Sequence, residues 1–123
     1  MRMLSALFKA LSDETRLQML GLLHSAGELC VCDFVEVLEI TQSKASRHLR
    51  HLVNVGFLDD RREGTWVYFR IVAEPKGAHA RILEMLPGVL DGRVDPELYA
   101  RLEAWRTSGD CADGACGPAE GRS

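Results

Sequence analysis

A chain of 123 residues has room for one domain with a modest core. Its 15 Lys and Arg against 18 Asp and Glu give a formal net charge of −3, which excludes a uniformly basic nucleic-acid binder. The charge is uneven, however: residues 1–94 carry 12 basic and 12 acidic side chains, and residues 95–123 carry 3 and 6. Local basic patches therefore survive upstream of an acidic end. There is no apolar run long enough to span a bilayer, and Met1-Arg2-Met3 leads into an amphipathic segment without a signal-peptide pattern. A cytoplasmic protein with no membrane partner is expected, and its four cysteines then read as reduced thiols with metal or redox roles rather than as disulfides.

Leu4, Leu7, Phe8 and Leu11 form one face of a first helix. Ser12 is placed to cap a second, with Asp13 and Glu14 in its first turn and Leu17, Leu20 and Leu23 facing inward. Val31, Phe34, Val35 and Leu38 then give a short helix of about two turns, and Glu39-Ile40 is a turn. Thr41 caps the next helix, in which Ala45, Leu49, Leu52 and Val53 recur at helical spacing. The pair reads as a helix-turn-helix. Its second helix leaves Gln42, Ser43, Lys44, Ser46, Arg47, His48 and Arg50 as candidate DNA contacts, with no acid between Glu39 and Asp59. A basic helix by itself is more often a solvated face; the short helix before it and the hairpin after it favour a DNA reader.

Gly56 fits the end of that helix. Leu58 to Arg62, a Glu63-Gly64 turn and Thr65 to Ile71 form a hairpin, with Arg61 and Arg62 as candidates for phosphate or minor-groove contact and Asp59 and Asp60 weighing against them. His79 to Leu90 is amphipathic and predicted to break near Pro87-Gly88. Asp95 caps and Pro96 opens a last helix with a Leu98, Leu102, Trp105 stripe. So small a monomer leaves this two-helix wedge little to cover, so it is expected to pair with the first helix of a second subunit. The fold class that follows is mainly α with a small β-hairpin wing, a homodimeric winged helix-turn-helix. Residues 1–106 form the DNA-binding and dimerisation domain, and residues 107–123 a low-hydrophobicity tail, predicted to be disordered, holding Cys111 and Cys116.

Cys30 and Cys32 stand one residue apart at the mouth of the short helix. On a regular helix, residues two apart project about 200° from each other, so both thiols can grip one ion only if the first turn is unmade. An ion stabilising that distorted form would shift the helix-turn-helix and weaken DNA binding. The helix N-terminus also favours thiolate at Cys32. Two unrelated core cysteines remain the plain alternative, since a bare C-x-C is a weak signal.

Glu28-Leu29-Cys30-Val31-Cys32-Asp33-Phe34, Ser46-Arg47-His48-Leu49 and Gly64-Thr65-Trp66-Val67-Tyr68-Phe69 together resemble the ArsR/SmtB family of winged-helix repressors, and within it the arsenite- and antimonite-responsive type. The resemblance spans approximately Leu4 to Arg106. It implies a homodimer on double-stranded operator DNA, an imperfect inverted repeat, released when the cysteines bind As(III) or Sb(III) as inducer. Where some arsenite repressors of this type have a third cysteine, this chain has Val35; a flexible tail would deliver Cys111 or Cys116 as the missing ligand, and idle tail thiols are the alternative. A zinc site that some members carry on the late helix looks absent, because His79 has no second His nearby. A cadmium- or lead-sensing or a thiol-redox-sensing repressor on the same fold stays open. An enzyme is not expected: neither a C-x-x-C nor a phosphate-cradling loop is present, and no catalytic residue or catalytic cofactor is assigned.

Overall fold

The computed structural model describes residues 1–108. Six helices and three strands follow one another as α1 (Arg2–Ala10), α2 (Glu14–Ala26), β1 (Glu28–Cys30), α3 (Val31–Leu38), α4 (Gln42–Asn54), β2 (Leu58–Glu63), β3 (Trp66–Ile71), α5 (Gly77–Leu90) and α6 (Pro96–Ser108). The helix-turn-helix is α3–α4, and Glu39 makes its turn in the left-handed region at φ 56°. Thr41 caps α4 by accepting from the Lys44 amide at 3.1 Å, as its position predicted. The expected hairpin is β2–β3.

β1 was not foreseen, because three residues are too short to show alternation. It pairs antiparallel with β3, giving a three-stranded sheet in the order β1-β3-β2, and Cys30 stands opposite Tyr68. This strand carries the chain to the start of α3 in an extended conformation.

Leu7, Met19, Leu20, Leu22, Leu23, Phe34, Leu49, Leu52 and Phe57 are sealed in one core beneath the helices and the sheet. Asp13, not Ser12, caps α2: its carboxylate accepts from the Arg16 amide at 3.1 Å, while the Ser12 hydroxyl donates back to the Lys9 carbonyl. A carboxylate at this position gains from the helix dipole as well as from the hydrogen bond. α5 is not broken at Pro87 but runs to Leu90. Proline removes one amide from the ladder, and so near the helix end few residues depend on it.

α6 is also used differently from the expectation. Its stripe does not await a second subunit: Leu98 and Leu102 are buried in this chain's own core. The helix lies along α3, where the Arg101 guanidinium donates to the Val37 carbonyl at 2.7 Å and the Trp105 indole N–H donates to Asp33 at 2.8 Å. Thr107 and Ser108, assigned above to the tail, belong to α6; Cys111 and Cys116 lie outside the described residues. The apolar side chains left exposed are Met1, Met3, Leu4 and Phe8 on and beside α1, with Met85 and Val89 on α5. Among the described residues, no helix is long and apolar enough to cross a membrane.

α4 ends at Gly56, whose φ of 94° disfavours any side chain. A Cβ there would stand 2.8 Å from His79 Nε2, which itself donates to the Val55 carbonyl at 2.8 Å. Gly56→Ala is expected to destabilise the fold by about 2 kcal/mol, from the strained φ and the displaced His79, read from the midpoint of urea unfolding.

Candidate functional site

Cys30 is both the last residue of β1 and the N-cap of α3, with φ −98° and ψ 171°. Its amide donates to Asp33 Oδ2 at 2.9 Å, half of a capping box at the helix start. Because Cys30 is extended rather than helical, the angular argument from a regular helix does not apply. Its Sγ lies 3.2 Å from Cys32 Sγ with the first turn of α3 intact. The expectation that this turn must be unmade before both sulfurs can share an ion is overturned, and the physical reason is β1.

Both sulfurs and a carboxylate oxygen of Asp33 lie within 4.8 Å of one another. Asp33 is only 6% exposed, and both of its oxygens are engaged, Oδ2 by the Cys30 amide and Oδ1 by the Trp105 indole. A buried carboxylate with two donors is satisfied without a metal, so in this conformation it is a post that holds the sulfurs' surroundings. Burial pushes the Cys30 thiol up to about 12, and the neighbouring Asp33 charge adds to the shift. The helix N-terminus does not overcome these two effects at Cys30. Two sulfurs so placed can chelate one thiophilic centre.

The candidate DNA contacts separate into two groups. Ser43, Lys44 and Arg47 are exposed near the start of α4, with Gln42 and Ser46 half-buried beside them, and Thr41, Gln42, Ser43 and Ser46 line an open concavity. Arg62 is exposed on the hairpin. Arg50 is exposed but ion-paired with Asp60 at 3.0 Å. His48 turns inward instead: it is 9% exposed, and Arg16 Nη1 donates to its Nδ1 at 3.0 Å. A guanidinium can only donate, so the ring is the neutral tautomer with its proton on Nε2. Burial, then the nearby Arg16, Lys44 and Arg47 charges, hold the His48 pKa below its ordinary value against the pull of Asp13. Arg61 is exposed and held by ion pairs. It forms a two-point bridge to Glu28, Nη2–Oε1 2.7 Å and Nε–Oε2 2.9 Å, and reaches Glu63 with Nη1 at 2.8 Å. Its guanidinium lies 4.8 Å from the centre of the Tyr68 ring. In this conformation His48 faces the interior rather than the surface, whereas Arg61 stays exposed and ion-paired, as Arg50 does.

Comparison with known proteins fits this geometry. Residues 13–60 match the family model described as "Bacterial regulatory protein, arsR family". The chain is 48% identical over 89 residues to the arsenic resistance transcriptional regulator ArsR1 of Pseudomonas putida, covering 72% of this chain and 66% of that one. Among solved structures, a homodimeric winged helix-turn-helix DNA-binding domain from Mycobacterium bovis, a possible ArsR-family regulator, aligns with TM-score 0.61 and 32% identity over 76% of this chain and 83% of that one. The chain belongs to the arsR family. The AntR antimony-specific transcriptional repressor also aligns, with TM-score 0.57 and 30% identity over 72% of this chain and 77% of that one. The matched stretch spans just under two thirds of the length of the first curated relatives, 66% and 64%. The family is one of bacterial regulatory proteins rather than of enzymes.

In this arsR-family chain the sequence reading passed over Asp33, Trp105 and Arg16. Asp33 had a signal: it follows the N-cap by three residues, the capping-box spacing, with Cys in place of the usual Ser or Thr. Trp105 and Arg16 had none, since their partners lie 72 and 32 residues away. The raised Cys30 pKa has a chemical consequence. Below about pH 12 the folded chain keeps this thiol protonated, so alkylation of Cys30 at pH 8 should be more than tenfold slower than in the urea-unfolded chain, followed by peptide mass spectrometry.

Proposed function

We propose that the protein is a cytoplasmic, metalloid-responsive transcriptional repressor. It binds operator DNA as a homodimer and leaves it when As(III) or Sb(III) binds Cys30 and Cys32. The observation that carries this reading is the Cys30–Cys32 sulfur pair, 3.2 Å apart, at the start of the helix that precedes α4 in an arsR-family fold. An arsenic regulator and an antimony repressor among its relatives support the choice of inducer.

The chemistry asked of the pair is ligand exchange. Each thiol replaces a hydroxide on the trivalent centre, an As–O bond giving way to an As–S bond while the thiol proton leaves with the hydroxide as water. The occupant then bridges the last residue of β1 and the first turn of α3. That changes how α3 is held against α4 and α6, and a ligand that favours the changed packing lowers operator affinity by the same free energy.

Operator binding itself is assigned to Ser43, Lys44, Arg47, Gln42 and Ser46 on α4, in the major groove, with Arg62 and Arg50 nearer the backbone. The exposed apolar residues of α1 and α5, Phe8 at 52% exposure among them, are the proposed subunit interface. A two-fold dimer would place the two α4 helices in successive major grooves of an imperfect inverted repeat.

Fluorescence anisotropy on DNA from the protein's own promoter tests the reading. Arsenite should release the reduced wild type, while Cys30→Ser and Cys32→Ser should bind DNA as wild type and stay bound. Retained release in both variants, or release by cadmium or an oxidant alone, would refute it. Arg47→Ala should lower operator affinity by about tenfold or more without changing metalloid affinity. Phe8→Asp should shift sedimentation from dimer toward monomer and weaken DNA binding in step.

A further inference from the structure

His48 is a polar side chain on the buried face of α4. Ala45, Leu49 and Leu52 make the rest of that face apolar, and the ring stands among them 9% exposed. Apolar contact lets a helix turn or slide by small amounts, because the attraction has no direction. A hydrogen bond has one, so the 3.0 Å contact from Arg16 Nη1 to His48 Nδ1 fixes the rotation of α4 about its axis. Lys44, one turn before His48, and Arg47, its neighbour, are left exposed by that rotation.

Arg16 is itself anchored on a third element. Its Nε donates to the Ala10 carbonyl at 2.7 Å and its Nη2 to the Lys9 carbonyl at 3.4 Å, both in the last turn of α1, where carbonyls lack amide partners within the helix. Its own amide is held by the Asp13 cap of α2. One guanidinium thus ties the end of α1 and the first turn of α2 to the middle of α4. α1 also carries Phe8 and the other exposed apolar residues assigned to the subunit interface. The contact therefore connects the pairing of two subunits with the spacing of their two α4 helices.

We propose that Arg16 and His48 are positioning residues for operator binding, forming a link from α1 to α4 that holds only while the His48 ring is neutral and lets α4 go when the ring takes a proton. The proposal rests on the reading of α4 as the operator-binding helix. A guanidinium offers donors alone, and a protonated ring carries a donor on each nitrogen, so N–H would then face N–H and cation would face cation. The charges around the ring are Asp13 and Arg16 on α2 and Lys44 and Arg47 on α4 itself. Burial and the three cations outweigh Asp13 and keep the ring neutral to a lower pH than an ordinary histidine. α3 and β2 also pack on α4; of their acids, Asp33 is held by Cys30 and Trp105 and Asp60 by Arg50, while Glu36, Asp59 and Glu63 are exposed, as is Glu39 at the turn. The unfolded chain accepts the proton at higher pH than the folded one. The stability that the link contributes is therefore complete above the ordinary histidine range, declines below it, and is gone once the folded ring is protonated.

Operator affinity of the full chain, followed by fluorescence anisotropy at fixed ionic strength from about pH 8 down to about pH 5.5, tests the link across the histidine range. Added positive charge on a reading helix ordinarily strengthens phosphate binding as the pH falls. The opposite is expected here, a loss of about fivefold or more in the wild type, since a hydrogen bond to a charged group is given up. Non-specific DNA of the same length, which demands no set spacing of the two α4 helices, should show no such loss. His48→Asn offers an acceptor near the position of Nδ1 and takes no proton, so it should flatten the profile. His51→Gln, at an exposed position on the same helix, should leave the profile in place. His48→Leu and Arg16→Met, with folding followed by circular dichroism, should each lower affinity at the upper pH, and the double variant should lose little beyond either alone. An operator affinity that holds or rises as the pH falls, a fall that persists in His48→Asn, or strictly additive losses in the double variant would overturn the proposal. Equal affinity for operator and unrelated DNA at every pH would instead refute the reading of α4 on which the proposal rests.

Discussion

Three separate parts of the chain meet on one buried carboxylate. Asp33 accepts from the Cys30 amide at the end of β1 and from the Trp105 indole near the end of α6, and it belongs to the first turn of α3. A carboxylate 6% exposed is costly in water-poor surroundings unless its oxygens are satisfied, and removing one partner leaves the charge short of a donor. The position of the sulfur pair, the start of α3 and the docking of α6 thus rise and fall together. The same charge also helps to keep the Cys30 thiol protonated.

From this point, contiguous contacts lead toward the DNA-facing surface in two directions. Along α3, the helix ends at Glu39, whose left-handed turn sets the angle of α4. Across the sheet, Cys30 stands opposite Tyr68, and Tyr68 opposite Arg61, whose guanidinium covers the Tyr68 ring and is bound to Glu28 on the same strand as Cys30. Arg61, which sequence alone suggested as a phosphate contact, also ties the wing to β1 through Glu28. His48 similarly fastens α4 to α2 through Arg16, whose Nε also donates to the Ala10 carbonyl at the end of α1. In the function proposed above, rigid attachment of this kind would let a change at the two sulfurs bias the placement of α4.

The fold was largely legible in the sequence because its signals are local. Thr41 before a helical run, Gly64 between strand patterns (the turn is Gly64-Thr65, one residue later than expected), and Asp95-Pro96 ahead of the last helix each depend on neighbours a few residues away. What was misread depends on distant partners. The β1 strand exists because β3 passes beside it, and without β1 the Cys30–Cys32 geometry was judged as if both lay in a helix. His48 looks like a DNA contact by residue type, and only the position of Arg16 shows that it faces inward. The α6 stripe announced an apolar partner but not that the partner is α3 of the same chain.

The central claim is that occupancy of the cysteine pair and occupancy of DNA oppose each other through one molecule. Thermodynamic linkage makes that claim measurable from the less familiar side, as the arsenite affinity of the protein alone and of the same protein saturated with operator. The account predicts that the operator complex binds arsenite more weakly, by the same factor by which arsenite weakens operator binding. Equal arsenite affinities in the two states, measured under conditions where both complexes persist, would contradict it.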